Sequence, residues 1–314
     1  MITLFIPFAQ RQLFSFFCAV NWIACIFLFF ALNAPAQVLD NRNGEAFTDH
    51  PFFNEAFIRE NRLKRLDGYY VYKKSGELMQ ETRYHYVYDF DRDGHLVSTY
   101  ETRPNGKSLD TLWNLYEYTA EGNLMVHHKT EEQGLTSKHY SYDSLGRVVA
   151  LEFTRDYKDS ANAGVARSLA FNRERIEYFN YGQQTKSTRY NSDNLPYLDE
   201  FWNYNELGYL VERSERIKMT STVYTYTYEY NENGKLAAIR KASNLQEGYL
   251  EEYLFKYDEL NNLIEKHLYR NGVFTTDIQI IYNSKSKLLA TVITRQVSTG
   301  FMTILRFKEY DFYD

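Results

Sequence analysis

The densest group of hard ligands in the chain is Asp89-Phe90-Asp91-Arg92-Asp93-Gly94. Alternate carboxylates before a glycine can converge on one hard cation, so Asp89, Asp91 and Asp93 are candidate calcium ligands. The twelfth position of such a loop needs a bidentate Glu. It is Tyr100 here, with Glu101 one place further on. A solvated acidic turn is the competing reading. His127 and His128 are adjacent in a strand-like stretch, so they point to opposite faces and cannot share a metal.

Catalytic signatures are missing. The sequence has no H-E-x-x-H, no G-x-S-x-G and no glycine loop that would cradle phosphate. The acid pairs Glu131-Glu132 and Glu251-Glu252 lie in polar stretches and read as solvated charge. A glycosidase remains an alternative, because its two carboxylates can lie far apart in sequence. The remaining candidate is aromatic. In Tyr224-Thr225-Tyr226-Thr227-Tyr228-Glu229-Tyr230, the residues Tyr224, Tyr226, Tyr228 and Tyr230 share one strand face. That face is either the packed side of a sheet or a platform for sugar or peptide.

The elements that carry these residues recur. An aromatic residue, usually Tyr, is followed by a polar turn, a Gly, and then Leu or Val two residues on. The copies start at Tyr72, Tyr88, Tyr118, Tyr142, Tyr178, Tyr204, Tyr230, Tyr257 and Tyr282, and the last five lie 25 to 27 residues apart. Asp or Asn at the first turn position and Gly at the fourth specify a type I turn closed by a positive-φ residue. Asn261 replaces Gly in one copy. Ser286 stands there in the last, where a looser turn is expected. Insertions at residues 101–110 and 156–172 interrupt the array, and loops of this kind are candidate ligand sites.

The segment Tyr140-Ser141-Tyr142-Asp143-Ser144-Leu145-Gly146-Arg147-Val148 resembles the YD repeat of the Rhs and teneurin families, and the likeness extends over residues 68–314. It implies an all-β fold: an antiparallel sheet of about nine stacked hairpins, open and twisted or spiralling. It also raises an accessory or relic of a toxin-delivery system as an alternative function. Ahead of the repeats, residues 51–66 show helical spacing of Phe53, Phe57, Leu63 and Leu66, with Asp49 as a possible cap. Such a helix would cover the exposed edge of the first strand.

The N-terminus reads as a signal peptide over residues 1–36: Arg11, an apolar run from Leu13 to Leu32, then Ala34-Pro35-Ala36. An uncleaved anchor is the alternative. Residues 37–67 would then form a cap or linker. Both cysteines, Cys18 and Cys25, lie within the apolar run, so the remainder has no thiol for disulfides or nucleophilic chemistry. That remainder has 35 basic and 41 acidic residues, which argues against a nucleic-acid partner. The expectation is an exported, periplasmic or extracellular, non-enzymatic binding or scaffold protein. Its partner would be a protein or glycan at the cell envelope, it would not insert stably into a membrane, and calcium is the one cofactor considered.

Overall fold

The computed structural model describes residues 37–105, 108–131, 134–158 and 165–314. The signal-peptide reading and the centre of the second insertion fall outside them. One short helix, α1 (Glu55–Glu60), precedes the strands β1 (Leu63–Lys73), β2 (Gln80–Phe90), β3 (Leu96–Asn105), β4 (Ser108–Tyr118), β5 (Leu124–Glu131) and β6 (Gly134–Tyr142). There follow β7 (Val148–Lys158), β8 (Val165–Tyr181), β9 (Gln184–Tyr190), β10 (Pro196–Tyr204), β11 (Leu210–Ile217) and β12 (Val223–Tyr230). The last are β13 (Leu236–Ser243), β14 (Gln246–Tyr257), β15 (Leu263–Arg270), β16 (Val273–Tyr282), β17 (Leu289–Gln296) and β18 (Met302–Phe312).

Each strand pairs antiparallel with its neighbours in sequence. The ring closes where β18 pairs β1, from Lys73 opposite Met302 to Leu63 opposite Phe312. Among the described residues the fold is therefore a closed eighteen-stranded up-and-down barrel. This corrects the open, spiralling sheet expected from the repeats, and with it the resemblance to Rhs/YD-repeat proteins. The turn chemistry is shared, but the sheet closes in a single circuit. Period-two alternation is the same in an open sheet and a barrel. Closure depends on twist and stagger summed over all the strands, which no single repeat encodes.

The repeat itself has a clear mechanical role. In its turns the Asp or Asn carboxyl or amide oxygen accepts two backbone N–H groups, as Asp143 Oδ1 does from Leu145 (2.9 Å) and Arg147 (3.0 Å). Asn205, Asn231 and Asp258 do the same. The repeat tyrosine stands at a bulge in six hairpins, among them those of Tyr118, Tyr230 and Tyr257, and Phe90 rather than Tyr88 takes that place in the β2–β3 hairpin. The tyrosine hydroxyl donates to the carbonyl that opens the return strand of the previous hairpin. Tyr118 reaches Leu96 (2.8 Å), Tyr142 reaches Leu124 (2.6 Å), Tyr230 reaches Leu210 (2.9 Å) and Tyr257 reaches Leu236 (2.9 Å). Tyr282 and Tyr310 continue the series at 2.8 and 3.0 Å. The spacing of the repeat thus sets a ring of tyrosine latches at one end of the barrel. Not every turn follows the expected pattern. The Gly182 turn holds only Gly182 and Gln183 between the paired Tyr181 and Gln184, without a bulge. The Gly76 turn joins β1 to β2 at the opposite end, outside this ring. In the last turn the positive-φ residue is Lys287, one place after Ser286.

Eighteen strands about 4.8 Å apart and tilted by about 40° give a backbone radius of roughly 18 Å, wider than two facing aromatic side chains can fill. The N-terminal segment fills the gap. Val38, Leu39, Ala46, Phe52, Phe53, Phe57 and Ile58 are buried in one cluster with wall residues from both sides of the ring, including Tyr88, Tyr116, Phe255 and Leu305. Residues 37–61 therefore form a plug. The expected helix over residues 51–66 is shorter. Asn54, not Asp49, caps it by accepting from Phe57 N, and it ends at Asn61 and Arg62, where φ turns positive. Leu63 and Leu66 belong to β1. The edge this helix was expected to cover does not exist, because β18 occupies it. Instead Gly94, at φ +92, lets the β2–β3 turn approach α1 so closely that a Cβ would lie 2.1 Å from the Glu55 carbonyl oxygen.

Candidate functional site

Contacts with the plug fix which phase of each strand faces inward. Asn41 Nδ2 donates to the Tyr257 hydroxyl (3.1 Å), and the Tyr116 hydroxyl donates to Asp49 O (2.9 Å). Lys129 pairs with Asp49. The Lys266 ammonium donates to Ala46 O (2.8 Å) and lies over the Tyr253 and Phe255 rings. Lys266 has no carboxylate within ion-pair distance among the described residues, and burial pushes its pKa down to about 8. His127 stacks on Tyr116 at 4.8 Å, and burial pulls its pKa down to about 4. His128 faces outward instead, contacting Ser137 (2.7 Å) and Glu117 (3.2 Å), so the two histidines do point to opposite faces.

The plug divides the lumen unevenly. Against β10–β14 it leaves a cavity of about 710 Å³. One side is the plug loop with Asn41, Arg42, Asn43 and Glu45. The other is the barrel wall, with Trp202, Tyr209, Arg213, Tyr228, Tyr230 and Tyr257. The cavity meets the barrel rim at Gly208, Asn233 and Gly234. Gly234 is needed there: the Tyr209 hydroxyl lies 2.4 Å from where a Cβ would stand, and φ is +69. Tyr209 in turn packs on Tyr230, with ring centroids 4.7 Å apart. Burial raises the hydroxyl pKa of Tyr228, Tyr230 and Tyr257, so these groups stay neutral and able to donate. A second cavity of about 590 Å³ lies on the other side of the plug, between Phe47, Phe52, Tyr70, Tyr86, Tyr88 and Leu305.

All four residues of the tyrosine stripe are on the inner wall. Tyr228 and Tyr230 line the larger cavity. Tyr226 donates to Glu215 (3.2 Å) beneath the Arg213 guanidinium, and Lys241 covers Tyr224 at 4.7 Å. The calcium candidates separate. Asp89 faces outward, bound to Arg65 (2.6 Å) and to the Ser98 hydroxyl (2.9 Å). Asp91 and Asp93 instead converge with His95, their ligand atoms within 4.8 Å of one another. Asp91 Oδ1 already accepts the turn amides of Asp93 (3.0 Å) and His95 (2.9 Å). The two insertions lengthen the β3–β4 and β7–β8 hairpins at the end away from this cavity.

Sequence reading missed Lys266, Arg213 and the plug loop. Asn43-Gly44 was a visible turn signal, and Lys266 occupies the inward phase of its strand. Neither could be joined to the wall without the closed ring. The outer wall has the opposite character. Cross-strand ion pairs run along it: Lys218–Asp199 (3.1 Å), Arg240–Glu252 (2.5 Å), Lys256–Glu265 (2.7 Å), Arg295–Asp277 (2.9 Å) and Arg173–Glu152. Lipid-facing barrels alternate apolar-out and polar-in. Here both faces carry charge: the outer wall bears these ion pairs together with the stacked Tyr100 and Trp113, and Arg213, Lys241 and Lys266 face in.

No protein family and no curated protein matches the sequence. Among solved structures, a porin-like protein from Bacteroides uniformis is 11% identical, with 78% of this chain and 97% of that one covered and a TM-score of 0.38. A porin-like protein from Bacteroides vulgatus is 10% identical over the same shares, with a TM-score of 0.30. TcdB2-TccC3 without its hypervariable C-terminal region is 11% identical over 70% of this chain and 14% of that one, with a TM-score of 0.24. At these scores the likenesses carry no inference about ligand or location.

Proposed function

We propose that the chain is an exported, non-enzymatic binding protein of the cell envelope that holds a small polar ligand inside its barrel, between plug and wall. The observation that carries this reading is the 710 Å³ cavity, whose walls combine aromatic faces with unspent amide and charged groups. Its size lies within the 300–1,000 Å³ range of small-molecule sites, and such sites pair apolar walls with a few convergent polar groups. The charged outer wall supports a barrel that stands in water on the periplasmic or extracellular side. No helix of the described residues is long and apolar enough to cross a membrane, which by itself says nothing about a barrel.

The test is a thermal melt of the purified protein with a small-molecule extract of cell envelopes. A ligand that binds only the folded state stabilises it by about 2.7 kcal/mol at a hundredfold excess over Kd. The melting temperature should rise for wild type and stay unchanged for a Trp202→Ala, Tyr230→Ala double variant. An equal response in both, or none in wild type, overturns the reading. Recovery of the protein in the detergent-soluble membrane fraction would overturn the water-facing placement.

A further inference from the structure

Resting on that reading, we propose that the cavity takes a saccharide that carries a carboxylate, such as a uronic acid residue of an envelope or extracellular polysaccharide. Three observations converge on this chemistry. The first is an unspent cationic donor. Arg213 stands on β11 directly opposite Trp202 of β10 and Tyr226 of β12. Its guanidinium lies 4.4 Å over the Tyr226 ring, and one terminal nitrogen donates to Glu215 (2.8 Å). Its Nε is buried and has no hydrogen-bond partner among the described residues. The guanidinium lines the cavity, and its second terminal nitrogen, with no hydrogen-bond partner among the described residues, is the donor left for a carboxylate.

The second observation is a further unpaired cation. Lys235 lines the same cavity and makes no ion pair among the described residues, whereas Arg42 is held by Asp40 (Nε to Oδ2 2.9 Å). The wall therefore presents two groups suited to an anion, Arg213 within the barrel and Lys235 at the rim. The third is the composition of the facing side. Glu45 also lacks an ion pair among the described residues, and Asn43 adds an amide, while Asn41 is already bound to Tyr257 and to Ala46 N. An acceptor-only carboxylate beside an amide is suited to the paired hydroxyls of a sugar. Trp202 and Tyr209 supply flat apolar faces of the kind a pyranose ring can cover. A simple dicarboxylate would leave the aromatic faces and Glu45 unused, and a neutral sugar would leave the Arg213 and Lys235 charges unmatched.

The experiment is calorimetric titration of the purified protein with galacturonic acid disaccharide, the matching neutral galactose disaccharide, and succinate. The acidic sugar should bind at least tenfold more tightly than either control. Lys235→Met, at the rim, should weaken it about tenfold while leaving the melting temperature of the free protein unchanged. Arg213→Gln should weaken it further and leave the response to the neutral sugar unaltered. Equal affinity for the two sugars overturns the carboxylate assignment, and equal affinity for succinate reduces the site to an anion trap and overturns the saccharide. Either result leaves the lumenal binding site in place if the envelope extract still stabilises wild type but not the double variant. Absence of binding by all three probes overturns the inference, and the extract melt then decides separately on the lumenal reading.

Discussion

Lys266 gives the sharpest physical test of the plugged barrel. The residue is 7% exposed, has no carboxylate partner among the described residues, and its ammonium donates to Ala46 O in the plug loop that forms one wall of the larger cavity. Burial lowers its pKa from 10.5 to about 8. Below pH 8 both folded and unfolded chains carry the proton, and the buried charge costs folding free energy. Between pH 8 and 10.5 the folded chain releases the proton while the unfolded chain keeps it. The unfolded state then binds more protons, so this group's contribution to stability rises with pH. At about 1.4 kcal/mol per pKa unit, the gain from pH 7 to pH 9.5 is about 2 kcal/mol. Lys266→Met retains the stem and removes the titration. Urea unfolding at pH 7 and pH 9.5 should show wild type gaining about 2 kcal/mol on the variant. Taking this difference cancels the other titrating groups, including tyrosines whose raised pKa values act in the opposite sense above pH 10. Parallel curves for the two proteins would refute the buried, unpaired placement of Lys266 and the seating of the plug loop against it.

Other consequences can be measured directly. Tyr282→Phe removes the hydroxyl that donates to Leu263 O at 2.8 Å and should cost about 1 kcal/mol in urea unfolding. Tyr224→Phe, outside the latch series, should stay within about 0.5 kcal/mol. His127 has a folded pKa of about 4 against 6.5 unfolded, so the unfolded chain takes up the proton first on acidification. Its contribution to stability is intact above pH 6.5 and lost as pH falls toward 4, and His127→Gln should flatten the melting-temperature profile across that window. The calcium expectation is tested by titration. A melting-temperature rise that Asp93→Asn abolishes places the ion at the Asp91–Asp93–His95 turn, and an unchanged curve removes it.

The sequence alone determined the local structure. Asn or Asp at the turn start and Gly or Asn at its end define hairpins because those residues readily make the turn hydrogen bonds and tolerate positive φ. Alternation along Tyr224–Tyr230 put four rings on one face, where the structure finds them. His127 and His128 were separable for the same reason. Tertiary structure decided what these local rules built. The pairing of Met302–Phe312 with β1 joins residues about 240 positions apart, and no repeat signals that its array will meet its own beginning. Closure reverses the meaning of the tyrosine stripe, from a platform on an open sheet to the lining of a lumen. It also turns residues 37–61 from an edge cap into a plug, because a ring of this width leaves space that only another stretch of chain can fill. The sites follow the same division. A run of carboxylates is visible in sequence, yet Asp89 faces outward to Arg65 while Asp91 serves its own turn. The cavity around Arg213 needs five strands and the plug at once, so it exists only in three dimensions.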